Sequence, residues 1–254
     1  MRAKRRDYSI FEDFQFERKP VGVKFLPLKP AGIERLDKML EKKLNFCEML
    51  KEAQVSPPFY VDREYFQCIE PMLLGMEDPD PIFVSGLVGD REGIYEEARA
   101  NRGIYQYLPM LPKGSVKYVA FSSLDEMSFE PDVLVVTANV SQAQVLLRAM
   151  GYATGEVWSS KGTPVAACAW IYIYPVISGK LNFTVTGLSL GMQSLKVFPE
   201  GLFLISIPWH LLLVMTDNLR DMNWSYTSPT ETRDENRMRM DKLFEDLKKE
   251  LEQG

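Results

Sequence analysis

The chain has 254 residues, 46% of them hydrophobic and 26% charged, and a net charge of −5. That length buries a substantial core, the composition excludes intrinsic disorder, and the acidic balance supplies no global electrostatic reason to bind nucleic acid. Three cysteines, an odd number without framework spacing, argue against a secreted disulfide scaffold and for a reducing cytoplasm.

The basic start, Met1 to Arg6, is followed by Asp7, Glu12, Asp13 and Glu17 where a signal peptide needs an apolar stretch, so no targeting segment is expected. Ile10, Phe11, Phe14 and Phe16 lie among charges and predict a short amphipathic helix or arm over residues 1–17. Residues 21–26, bracketed by Pro20 and Pro27, read as a strand. Residues 32–53 read as one helix, with Leu36, Met39, Leu40, Leu44, Cys47 and Leu50 on one stripe. Pro57 and Pro58 end it. Residues 56–112 are rich in Pro and Gly. They predict a short helix over 62–68 with Asp62 as N-cap, and another over 94–107 with Glu96, Glu97, Arg99 and Arg102 on its wet side.

The second half shows a weak internal repeat. Strand 116–121, strand 132–137 and helix 141–150 form one β-loop-β-α unit, and strand 182–186, strand 202–207 and helix 209–219 form another. The second strand of each unit is a continuous apolar run, so both of its faces should be covered. Residues 165–175, which carry Cys168, read as a further strand. The densest apolar run, 208–215, is far shorter than the roughly 20 residues of a membrane-spanning helix, so no membrane association is expected. A polar linker at Ser228, Pro229 and Thr230 precedes a charged helix with Met240, Leu243, Phe244, Leu247 and Leu251 on one face, expected to dock on its own body or on a second copy of the chain. The whole predicts an α/β (α+β) fold, a mixed sheet layered with helices: an arm (1–17), one globular domain (18–224), and a linker with a C-terminal helix (225–254).

The cysteines carry the main chemical expectation. Cys47, Cys68 and Cys168 sit in three separate apolar settings, with no C-x-x-C pair and with the single histidine, His210, far away in sequence. Should folding gather them, three thiolates hold three corners of a cubane iron–sulfur cluster, or zinc with one outside ligand. Should it not, they are small core residues, since unliganded cysteine is among the most buried residue types.

A second set of candidates is polar. Lys24 shares a strand face with Gly22, where a lysine reaches an anion over bare backbone, or simply keeps its ammonium in water. Asn139 and Gln142 stand where a buried strand meets a helix start, a common place for anionic ligands, although turn and cap chemistry explains them equally. Asn182 and Thr184 share one face of their strand, facing solvent or a polar pocket. The stretch from Gly187 to Gly191 lacks the G-x-G-x-x-G pattern and reads as a turn. No Ser-His-Asp or H-E-x-x-H pattern supports a hydrolase, and whether the chain is an enzyme stays open.

Pro20-Val21-Gly22-Val23-Lys24-Phe25, Phe46-Cys47-Glu48-Met49, Glu130-Pro131-Asp132-Val133-Leu134-Val135, Cys168, Gly179-Lys180-Leu181-Asn182-Phe183-Thr184 and Ile207-Pro208 occur in that order. Together they resemble the family catalogued as domain of unknown function 169, from bacteria and archaea, many of them anaerobes, over roughly residues 18–222. The resemblance implies that all three cysteines occupy positions where the family pattern carries cysteine. It implies no established activity. Two departures stand out. Residues 186–192 hold no cysteine where many relatives have a cysteine-rich segment, and Cys68 is followed by Ile69-Glu70-Pro71 where relatives often have Pro-Gly-Gly. The leading expectation is a cytoplasmic redox or cofactor-handling protein with an iron–sulfur cluster or metal on the three cysteines. Its alternative is a non-enzymatic module that binds a small anion or a partner protein.

Overall fold

A computed structural model of the chain describes residues 8–40, 42–226 and 232–253. The basic start and the linker residues Ser228, Pro229 and Thr230 lie outside the described residues. Seven strands, β1 (Val21–Leu26), β2 (Glu34–Arg35), β3 (Phe59–Asp62), β4 (Tyr118–Ser123), β5 (Val133–Ala138), β6 (Asn182–Val185) and β7 (Phe203–Pro208), form one sheet in the order β2-β3-β4-β1-β5-β7-β6. Every neighbouring pair is antiparallel except β2–β3, which makes the sheet mixed.

Register sorts the side chains into two layers. Val21 and Val23 of β1 stand opposite Val135 and Val133 of β5, and Val23 also opposite Phe121 of β4. These residues line the first core together with α1 (Phe46–Ala53), α2 (Glu70–Leu73), α3 (Pro81–Val84) and α5 (Ala98–Gln106). The short α4 (Leu87–Glu92) sits between those last two. Leu134 and Val136 point the other way, opposite Ile207 and Ile205, into a second core. That core is covered by α6 (Val140–Gly151), α9 (Trp209–Asp221) and the 3-10 helix Ser9–Phe14, whose Phe11 and Phe14 are buried. The apolar runs of β5 and β7 are therefore covered on both faces, as continuous hydrophobicity requires.

Several local readings change. The helix expected over 32–53 breaks into β2, a 3-10 turn at Leu36–Lys38 and α1, because Asn45 starts a new helix. The backbone N–H and Nδ2 of Asn45 donate to Glu48 Oε2 at 2.9 and 2.8 Å, the reciprocal half of a capping box. The strand β3 lies inside the Pro-rich stretch that gave no strand signal, and the 62–68 helix is only a 3-10 turn, Arg63–Tyr65, capped by Asp62. The expected strand over 165–175 is instead a π-helix, Ala169–Ile173, running into α7 (Tyr174–Ser178). Its five residues are all buried, so packing overrides the strand preference of β-branched and aromatic side chains. After β6 comes the short α8 (Leu190–Leu195). The C-terminal helix α10 (Arg233–Gln253) leaves Leu243, Phe244, Leu247 and Leu251 exposed. Among the described residues no helix is long and apolar enough to cross a membrane.

Candidate functional site

The first core gathers the three cysteines. Leu44 forms an isolated parallel bridge with Phe66, and the Gln67 N–H donates to Leu44 O at 3.2 Å. This clamp brings Cys47, three residues beyond Leu44, beside Cys68, two beyond Phe66. The residue before Cys47, Phe46, stacks on Tyr172 with centroids 4.1 Å apart and planes inclined by 22°. Tyr172 belongs to the π-helix that starts immediately after Cys168. Ala166 enters this turn with φ of +53°, a left-handed conformation that costs an L-residue stability unless its surroundings enforce it. Left-handed residues and π-helical turns concentrate where a fold must aim a side chain. Here they aim Cys168 at the other two.

The three cysteines, Glu70 and Tyr172 line one cavity of about 190 Å³. Apolar walls come from Ile171, Met192, Leu195, Val197, Phe198 and Leu204. Its described lining includes no Lys or Arg. Glu70, 6% exposed, is the acidic side chain of that described lining. The Cys168 thiol donates to Glu70 Oε1. Glu70 Oε2 and the Tyr172 hydroxyl, both buried, have no hydrogen-bond partner.

These surroundings hold the thiols protonated. Burial first, then the Glu70 charge, pushes Cys47 up to about 12. The same causes, burial first and then Glu70, also push Cys68 and Cys168 well up. Opposing them, backbone N–H groups of Cys47 and Glu48 point at the Cys47 sulfur, and those of Phe46 and Glu70 at the Cys68 sulfur. Such donors at helix starts favour a sulfur that becomes anionic. Among the described residues no group of three or more His, Cys, Asp or Glu side chains is arranged to hold a metal ion as it stands. A ready-made thiolate site is thus not what the chain presents. The Cys168 thiol is turned into a hydrogen bond with Glu70.

The other candidates lie apart from this cavity or serve the scaffold. Lys24 is on the opposite sheet face and donates to Glu130 O. The bare backbone imagined beside it is covered, since a Cβ on Gly22 would collide with Met127 and come within 3.1 Å of Pro131. Asn139 and Gln142 cap α6 for each other: Asn139 N–H donates to Gln142 Oε1 at 2.9 Å and Gln142 N–H to Asn139 Oδ1 at 3.0 Å. Gln142 Nε2 also donates to Phe14 O, fastening the N-terminal arm. Asn182 and Thr184 do share the inner face, opposite Ser206 and Leu204. Asn182 is buried and ties down the site's frame, accepting from Lys161 N at 2.8 Å and donating to Lys161 O at 3.0 Å and Trp170 O at 2.9 Å. Thr184 does not line the cavity. Its neighbour Thr186 does, donating to Pro199 O and accepting from Leu202 N.

Sequence reasoning missed Glu70, Tyr172 and Thr186. Two spacings were available as signals. Glu70 follows Cys68 by two residues with Pro71 next, a helix start, and Tyr172 follows Cys168 by four, one helical turn.

A family-wide sequence profile, that of domain of unknown function 169, described as uncharacterised ArCR, matches residues 9–218. The chain belongs to this family. The family match covers every strand and all three cysteines, so the cavity lies wholly within the shared domain. No curated protein and no solved structure matches the chain.

Proposed function

We propose that the chain is a redox or cofactor-handling protein of a reducing compartment, holding an iron–sulfur cluster on Cys47, Cys68 and Cys168. One observation carries this reading: three thiols from distant segments, together with a buried carboxylate, border one cavity too roomy for a lone ion. Binding requires the thiols to give up their protons and rotate between staggered χ1 wells from Glu70 toward a common centre. Helix-start N–H groups then face thiolates instead of thiols. The absence of Lys and Arg from the described lining argues against a small anion as the occupant of this cavity.

Anaerobic expression followed by iron and acid-labile sulfide analysis tests the reading. Retained iron and sulfide, lost on changing any of the three cysteines to serine, supports it. Colourless, iron-free protein after reconstitution rejects it.

The exposed apolar face of α10 favours a second reading that is compatible with the first. Leu243, Phe244, Leu247 and Leu251 are 44% to 84% exposed, and pairing with a second copy of the chain would cover them.

A further inference from the structure

The C-terminal helix α10 is 21 residues long, and none of its described side chains, 233–252, is buried. A helix in a folded protein draws most of its stability from packing an apolar face, so one standing clear of its own body calls for a cover from outside. Met240, Phe244, Leu247 and Leu251 follow one another at spacings of four, three and four, which sets them on one narrow seam with Leu243 along one edge. Phe244 is 62% exposed and Leu251 84%.

The charges beside the seam decide what covers it. Asp241 and Lys248 flank it on the edge opposite Leu243. They stand seven residues apart, about 10.5 Å along the axis, too far to pair with each other. Among the described residues neither is in an ion pair. Two copies of the helix packed antiparallel about a two-fold axis bring Met240 opposite Leu251 and Phe244 opposite Leu247. In that register Asp241 of each copy meets Lys248 of the other, and the symmetry makes the contact twice. Arg237, on the seam beyond Met240, then reaches the C-terminal end of the other helix, where Glu252 and the negative end of the dipole favour it. A parallel pair fails on the same residues. Asp241 would face Asn236, Lys248 would face Leu243, and Arg237 would meet its own copy across the seam. Both halves of the complementarity lie on one helix, so the partner it fits is a second copy of this chain.

We propose that α10 pairs antiparallel with α10 of a second copy, in the register set by Asp241 against Lys248. This rests on the pairing reading above and adds its direction and register.

Analytical ultracentrifugation of the full chain over a concentration series at low salt tests it. The samples are native protein, D241K, K248D, the double variant D241K/K248D, and F244E/L247E, which breaks the seam, with circular dichroism as the folding control. Native protein should form a dimer that F244E/L247E abolishes. Each single reversal turns two attractive contacts into repulsive ones and should weaken dimerisation about tenfold at low ionic strength. The double variant exchanges the two charges and should return to within about threefold of native affinity. A double variant as weak as the singles, or singles that associate as tightly as native protein, overturns the antiparallel register and leaves pairing through α10 standing. A native dimer that survives F244E/L247E, or native protein that stays monomeric throughout, overturns the pairing reading itself and this proposal with it.

Discussion

Changing Tyr172 to Phe should stabilise the metal-free protein. The ring is 1% exposed and stacked on Phe46 at 4.1 Å, and the substitution keeps that contact. The hydroxyl is buried without a partner, and an unsatisfied buried donor costs about 1–3 kcal/mol. Removing one oxygen leaves a space smaller than a methyl group, a loss of under about 1 kcal/mol. The difference is a gain of about 1 kcal/mol, or roughly 2–4 °C in melting temperature for a domain of this size. Urea titration of reduced, chelator-treated protein measures it as a higher midpoint at unchanged slope. After iron loading the gain should shrink or reverse, because a bound group then supplies the hydroxyl with a partner. A midpoint that falls in the metal-free protein would refute the reasoning, for it would mean the hydroxyl already makes a hydrogen bond.

The thiols should resist alkylation in the folded, metal-free state. Only the thiolate reacts, and burial with Glu70 nearby raises all three, so iodoacetamide at pH 8 should act about tenfold or more slowly than on urea-unfolded chain. Equal rates would contradict the protonated site. The same shifts set a pH dependence. Unfolded thiols ionise near 8.5 and folded Cys47 near about 12, so the unfolded state loses protons first, and stability is full below that lower value and falls as pH rises toward the upper one. A midpoint that stays level between pH 8 and 11 would count against these shifts. Asn182→Ala removes three hydrogen bonds and leaves the buried Trp170 carbonyl without Asn182, for a loss of about 1–3 kcal/mol; a loss below about 0.5 kcal/mol would show that the frame does not depend on it. Deleting residues 228–254 should lower the mass seen by analytical ultracentrifugation, and an unchanged mass removes the pairing role of α10.

What the sequence revealed follows the strength of its periodicities. The runs at β5 and β7 are apolar on both faces, and their two-sided covering follows from that pattern. Mixed pairing was readable from the connection lengths. The stripe across residues 32–53 misled because Leu36 and Leu44 are buried on separate pieces of chain, whereas the Asn45-x-x-Glu48 box marks where α1 begins. Around Cys168 the local signal pointed the wrong way, since aromatic and β-branched side chains suggest a strand until a fully buried π-helix outweighs that preference. The meeting of the cysteines depends on the Leu44–Phe66 clamp and the Phe46–Tyr172 stack, both long-range contacts with no local signature. Glu70 is legible only once those contacts exist, because a carboxylate two residues from a cysteine has no meaning until other thiols arrive.

The most direct trial is an anomalous-difference X-ray map of the iron-loaded protein, recorded at the iron absorption edge. The account predicts a peak inside the cavity between Cys47, Cys68 and Cys168, within bonding distance of all three sulfurs. Iron elsewhere on the chain, or the Cys168 thiol still hydrogen-bonded to Glu70 with no peak among the three sulfurs, would contradict it.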